Sequence, residues 1–348
     1  LEVWFDNLNF ASDAANSVYP ILNPDFAVGI FFIIAFGSIV YFNSKKKAGS
    51  SLPEDLGKLV GFLIPAIFIF ALYNVFRIEI GNYFAYRANY RPAPEMAEGN
   101  LARTFEDYFF YFNILWQINY TMMFLMICGF LNIRRFKNSA FGFINLFANS
   151  FAIFIYVTFG MYVLDALRSE FFDQSTVDNS PHGIFNILIR YVCLGFFAAL
   201  CYSTYRYVKE EFLTDYIPGK VLITLFDLGF YFSILIILSV ELVTWLDVFE
   251  FTESFKLGLS ILWGIYAVFL IVLGIALRKL HLRVFAIVLF AATLLKLFFY
   301  DIAELDTIRK TIVFVSLGIL LLIISFLYTK FKNVIFEEVS DPSAAADG

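Results

Sequence analysis

The chain has 348 residues, of which 60% are hydrophobic and only 16% charged, with a mean hydropathy of +0.76. A soluble globular chain is nearer half apolar and a quarter charged, so that class is excluded and an all-α, polytopic membrane protein is expected. The formal charge of −5 is too small to imply an oppositely charged partner, and no basic stripe with interleaved aromatics suggests a nucleic acid.

Residues 1–24 scatter Trp4, Phe5, Phe10 and Tyr19 among Asn, Asp and Ser, the pattern of an extracytoplasmic loop or a segment lying at the interface. The chain opens at Leu1 with no basic region and cleavage site behind it, so it is expected to continue a longer chain on its N-terminal side. A transmembrane helical bundle is expected over 25–332, built from nine apolar runs of roughly 18 to 25 residues, the length that crosses about 30 Å of hydrocarbon. The runs fall near 26–43, 57–79, 108–131, 140–164, 184–206, 220–246, 257–277, 284–300 and 311–329. Many Tyr and Trp sit near their ends, where an amphipathic ring suits the headgroup region. The last residues, 333–348, are polar and small, and read as a disordered cytoplasmic tail.

Lys and Arg set the orientation. Lys45, Lys46, Lys47 and Lys58 flank the first loop, Arg134, Arg135 and Lys137 the third, Arg206, Lys209 and Lys220 the fifth, Arg278, Lys279 and Arg283 the seventh, and Lys330 and Lys332 the tail. The alternate loops are acidic, with Glu95, Glu98, Asp173, Asp178, Glu250, Glu253, Glu304 and Asp306. The N-terminus is therefore expected outside and the C-terminus in the cytoplasm. No internal repeat at fixed spacing is visible, which weakens the case for an inverted-repeat transporter.

Ionisable groups inside spans cost several kcal/mol unless they face protein or water, which makes each one a candidate. Helical spacing groups them into stripes. Asn74 and Arg77 stand at the end of the second span. Glu106, Asn113, Gln117 and Tyr120 share a face of the third, and Asn145, Asn149 and Tyr156 one of the fourth. Asn186, Arg190, Cys193 and Thr204 align on the fifth, with His182 one turn earlier, while Asp227 and Glu241 share a line on the sixth. Lys296 sits one turn inside the outer end of the eighth.

Two readings of this polar seam compete. In one, Arg77, Arg190, Lys296 and Arg309 pair with Glu241, Glu106, Asp301 and Asp306 to lock helices together, at about 0.6–2 kcal/mol for each contact. In the other, Arg77, Arg190, Lys296 and Arg309, with Glu241 and Asp301, line an outward-facing site for an anionic headgroup or glycan phosphate. Lys296 and Arg77 also have the reach to snorkel to the interface. Asp227 has no basic residue expected at its depth, so it is read as a neutral, hydrogen-bonded acid or as a water-facing carboxylate able to take part in a proton-coupled step.

Templates for chemistry are scarce. No nucleophile elbow, H-E-x-x-H, P-loop or dinucleotide fingerprint occurs in a suitable context. Cys128, Cys193 and Cys201 fall inside spans and read as small buried hydrophobes, not a disulfide framework. His182 and His281 stand alone, without the Cys/His spacing of a zinc site, so no metal or cofactor is expected. The sequon Asn119-Tyr120-Thr121 lies within a span and is discounted.

Trp263 and Gly274, Arg278 with Arg283, the run Lys296-Leu297-Phe298-Phe299-Tyr300-Asp301, then Leu305, Arg309, Leu317-Gly318-Ile319-Leu320-Leu321-Leu322 and Tyr328 form a recurring pattern. In these residues the chain resembles the C-terminal region of a bacterial family of predicted multi-span membrane proteins, the domain of unknown function numbered 2339. The resemblance implies a long multi-span chain with an N-terminal coiled-coil region, and it carries no activity. The expected function is therefore binding or moving an envelope-related lipid or glycan intermediate through a seam that opens outward, with membrane lipids and a lipid-linked or anionic small molecule as partners. A membrane-embedded transferase or hydrolase using Glu241 or His182 as base, and a structural scaffold, are the alternatives.

Overall fold

In hydrocarbon a backbone has no water to bond, so an apolar run must satisfy its own N–H and C=O groups, and the helix is the solution within one segment. The computed structural model of the chain describes residues 19–45, 54–89, 100–172, 184–213, 217–249 and 255–297, with isolated helical residues between 308 and 330. Its helices are α1 (Pro24–Lys45), α2 (Glu54–Asn89), α3 (Asn100–Leu131), α4 (Ser139–Ile155), α5 (Met161–Phe172), α6 (Phe185–Tyr207), α7 (Gly219–Val248), α8 (Phe255–Ala276) and α9 (Leu280–Lys296). There is no strand among the described residues. Two π-helical segments interrupt the series: Asn132–Phe136 continues α3, and Tyr156–Gly160 joins α4 to α5.

Seven stretches among the described residues are long and apolar enough to cross a membrane: Pro24–Asn43, Val60–Ala88, Phe109–Phe136, Ser139–Ser169, Phe185–Tyr207, Gly219–Val248 and Gly258–Ala276. Each coincides with one of the first seven expected spans. The eighth is present as α9, described over Leu280–Lys296, about 25 Å of helix. The ninth, expected over 311–329, falls outside the described residues except for isolated helical positions.

Contacts divide the chain into two units, one formed by Leu1–Cys128 with Thr158–Leu200 and the other by Gly129–Val157 with Cys201–Gly348. In the first unit α1 lies close against α2. A Cβ added to Gly29 would stand 2.7 Å from Val75 Cγ2, and one added to Gly37 would stand 3.1 Å from the Phe68 ring. Small residues at such crossings let backbones approach, the way helices gain packing where lipid is as apolar as leucine. Asn23 caps α1, its Oδ1 accepting from the Phe26 N–H at 2.7 Å. The interior of this unit holds Leu115, Met122, Val163, Leu164, Leu167 and Ile189, all essentially sealed from solvent.

In the second unit α7, α8 and α9 share an apolar core of Leu235, Tyr266, Ala267, Leu270, Ile271, Ala286, Leu289 and Phe290. The turn that folds α9 back onto α8 is a Schellman closure: Lys279 N–H donates to Gly274 O at 2.9 Å and Arg278 N–H to Ile275 O at 3.2 Å. The left-handed position is filled by Arg278, at φ 54°, rather than by the usual glycine. Gly274 is instead needed for space, because a Cβ there would stand 2.7 Å from Arg283 Cγ and 3.1 Å from the Arg283 nitrogen.

Replacing Gly274 with Ala therefore forces the α8–α9 hairpin apart and should lower stability by about 1–3 kcal/mol. Gly57→Ala, where nothing stands within 4 Å, should be neutral or slightly stabilising. Thermal melting of the two purified variants in the same detergent checks the pair.

Candidate functional site

Helix α2 carries two charges two positions apart, so they point to nearly opposite sides of the helix. Arg77 turns to α3. Its Nη1 donates to Gln117 Oε1 at 3.0 Å and its Nε to Asn74 Oδ1 at 3.3 Å, while Gln117 Nε2 donates onward to Asn113 Oδ1 at 2.8 Å. One turn along, the hydroxyls of Tyr73 and Thr121 meet at 2.8 Å, Tyr120 donates to the Tyr73 carbonyl at 3.1 Å, and the Tyr73 and Tyr120 rings stack with centroids 5.5 Å apart. The expected stripes Asn74–Arg77 and Asn113–Gln117–Tyr120 are thus brought together. The guanidinium is half-buried, both of its partners are neutral amide oxygens, and no carboxylate among the described residues pairs with it.

Glu79 turns the other way, toward the start of α1, and is buried. Asn23 Nδ2 donates to both of its oxygens, at 3.1 and 3.2 Å, Asn82 Nδ2 donates at 2.9 Å, and the Ile21 N–H closes on Oε2. Ile21 takes φ 66°, an unusual value for a β-branched residue, and in doing so aims its N–H at the carboxylate.

On α6 the stripe Asn186, Arg190 and Cys193 is buried throughout, at 2%, 4% and 0% exposure, which decides that it faces protein and not lipid. Asn119 of α3 donates to Cys193 Sγ at 3.3 Å. Both amide atoms of Asn186, and Asn119 Oδ1, lack a hydrogen-bond partner among the described residues. On α5, Arg168 meets Asp165 at 2.7 Å, a pair three residues apart on one helix.

In the second unit Asn145, Asn149 and Tyr156 are likewise buried, and Asn149 Nδ2 donates to Thr204 Oγ1 at 3.1 Å. Gly129 makes room for this layer, since a Cβ there would stand 3.2 Å from both Asn145 Nδ2 and Ser203 Oγ. Asn132 is sealed against Tyr207, to whose hydroxyl its Nδ2 lies 2.6 Å away, and it also holds the ends of the π-helical turn through the Asn138 and Lys137 backbone. Lys296 donates to Ser260 Oγ at 2.8 Å, and Trp263, one turn further along α8, donates to Ser239 Oγ on α7 at 2.9 Å. Glu241 is partly buried on α7.

Asp227 corrects the sequence reading. It was expected to have no basic neighbour, and His281 to stand alone. Yet the buried carboxylate receives Lys279 Nζ at 2.6 Å and His281 Nε2 at 2.8 Å, both on Oδ2. The reason is that α9 begins at Leu280, four residues ahead of the run expected from 284, so the short turn after Ala276 folds Lys279 and the first turn of α9 against α7. Asp301, Arg309 and His182 lie outside the described residues, as does the side chain of Glu106.

A family model described as predicted membrane protein, DUF2339, matches residues 4–331. The chain belongs to this family. The likeness thus runs well beyond the last spans, where the quoted residues lie. No curated protein and no solved structure matches the chain. It is an integral membrane protein with several membrane-crossing helices.

In this DUF2339 protein the residues that sequence reading passed over are Glu79, Asn23, Lys279 and His281. Glu79 carried a usable signal: it lies two residues from Arg77 within an apolar run, so the helix must bury one charge on each side or spend one on lipid. Replacing Glu79 with Ala strands the buried Asn23 amide and the Ile21 N–H, and should cost about 1–3 kcal/mol. Glu79→Gln, which keeps an acceptor, should cost less. Melting temperature, together with protease cutting before Pro24, reads out both variants.

Proposed function

We propose that this membrane protein binds an envelope-related lipid or glycan intermediate by its anionic group, at the seam where α2 and α3 of the first unit meet, and passes it through an opening on the outer side of a bacterial inner membrane. Arg77 carries this reading. A guanidinium always holds its charge and presents five donors in a planar fork. Here it sits within a membrane-crossing stretch, two of its nitrogens meet amide oxygens, and Nη2 has no hydrogen bond among the described residues. Amides orient the group without neutralising it, and a phosphate or carboxylate does both through paired hydrogen bonds.

The surroundings support an amphiphilic ligand over a free ion. Along the same two helices the side chains change from aromatic (Tyr73, Tyr120, Phe124) through the guanidinium to amide (Asn113, Gln117), an order that suits a lipid tail, a phosphate and a hydroxyl-rich head. The basic loops expected on one side and acidic loops on the other support an outward-facing end.

The test uses the full chain in detergent, with phosphatidylglycerol and a polyprenyl phosphate as anionic probes and phosphatidylcholine as reference, and counts bound lipid by native mass spectrometry. Retention of both anionic probes should exceed that of the reference. Arg77→Gln should lower it by about tenfold, the scale of one charge-assisted pair, and Arg77→Lys by less. Equal retention in wild-type and Arg77→Gln chains of the same melting temperature would sink the proposal.

A further inference from the structure

The second unit holds a cluster that the ligand reading does not use. Asp227 is 5% exposed on its side chain, Lys279 27% and His281 21%, so one acid is sealed in the helix bundle while its two basic partners reach solvent. Both meet the same oxygen, Oδ2, at 2.6 and 2.8 Å. With Lys279 charged, the carboxylate is ionised and accepts only. His281 Nε2 must then carry a hydrogen and donate it, which leaves Nδ1 as the ring nitrogen with a lone pair.

We propose that Asp227, Lys279 and His281 form a proton-binding site in which one proton taken up at His281 Nδ1 exchanges the ion-pair partner of Asp227. Before uptake the pair is Asp227–Lys279, with neutral imidazole as a third hydrogen bond. After uptake two cations converge on one oxygen, and the cluster carries a net charge of +1 at a partly buried place. The short, less exposed His281 side chain keeps its imidazolium on Oδ2, whereas the longer, more exposed Lys279 chain swings to water. The proton stays on the ring, no bond other than N–H forms, and the ammonium is delivered to the surface.

Imidazole suits such a step because it is the side chain whose charge ordinarily changes between pH 5 and 8. Among the described residues, the other ionisable groups around the cluster include Tyr231, next along the same face of α7, with Tyr205 of α6 beyond it and Lys209 against Tyr205 at 2.6 Å. On the hairpin they are Arg278, exposed in the turn, and Arg283, buried on α9. None of these is a second carboxylate that would hold Lys279 in place once imidazolium has formed. The backbone N–H of Lys279 stays on Gly274 O, so the turn anchors the residue while its side chain is released.

The experiment labels the full chain, in phosphatidylcholine nanodiscs, with an amine-reactive ester and reads Lys279 by peptide mass spectrometry relative to the exposed Lys220. In the wild-type chain this ratio should rise about threefold between pH 8 and pH 6, the scale of one partly exposed ion pair. His281→Gln should keep the ratio low at both pH values, and Asp227→Asn should keep it high at both. Since Asp227→Asn alters a buried group, a matched melting temperature qualifies that variant. The His281→Gln result stands without it. A flat wild-type ratio, or an equal rise in His281→Gln, overturns the proposal.

Discussion

Hydrocarbon offers a polar group nothing, and that one constraint shapes every feature of this protein. It makes the backbone helical, and it penalises each amide, hydroxyl and charge in a span that finds no partner. The partners are mostly neutral. Gln117 and Asn74 serve Arg77, Asn23 and Asn82 serve Glu79, Ser260 serves Lys296, and Thr204 serves Asn149. Since single contacts of this kind contribute only about 0.6–2 kcal/mol, they act as a set that fixes which faces meet.

Neutral partners orient a charge but leave its field in place. Arg77 and Glu79 therefore retain fields that a fully paired seam would have cancelled, and they are turned to different neighbours, α3 on one side and the start of α1 on the other. Asp227 is the contrast. There, two bases share one carboxylate oxygen.

Spans were legible in the sequence because the length of an apolar run is itself the physical requirement. Stripes were legible too: Asn113 with Gln117 and Asn186 with Arg190 follow from helical spacing alone. What could not be read was pairing between stripes. Arg77 and Gln117 are 40 residues apart, and Asp227 stands 52 and 54 residues from its bases. The depth of those bases depends on where α9 starts, and Leu280 lies four residues ahead of the apolar run expected from 284. Glu79 was passed over for a related reason, because its cap comes from Ile21 and Asn23, in a stretch that reads as a polar loop.

The π-helical segment Tyr156–Gly160 has a consequence for anyone drawing this helix as a wheel. A wider turn takes in one residue more than the α pattern allows, so the faces on its far side are offset by roughly 100° from a continuous projection. Asn145 and Asn149 lie before the offset, Asp165 and Arg168 after it. Substitutions chosen from an unbroken projection would therefore land on the wrong side.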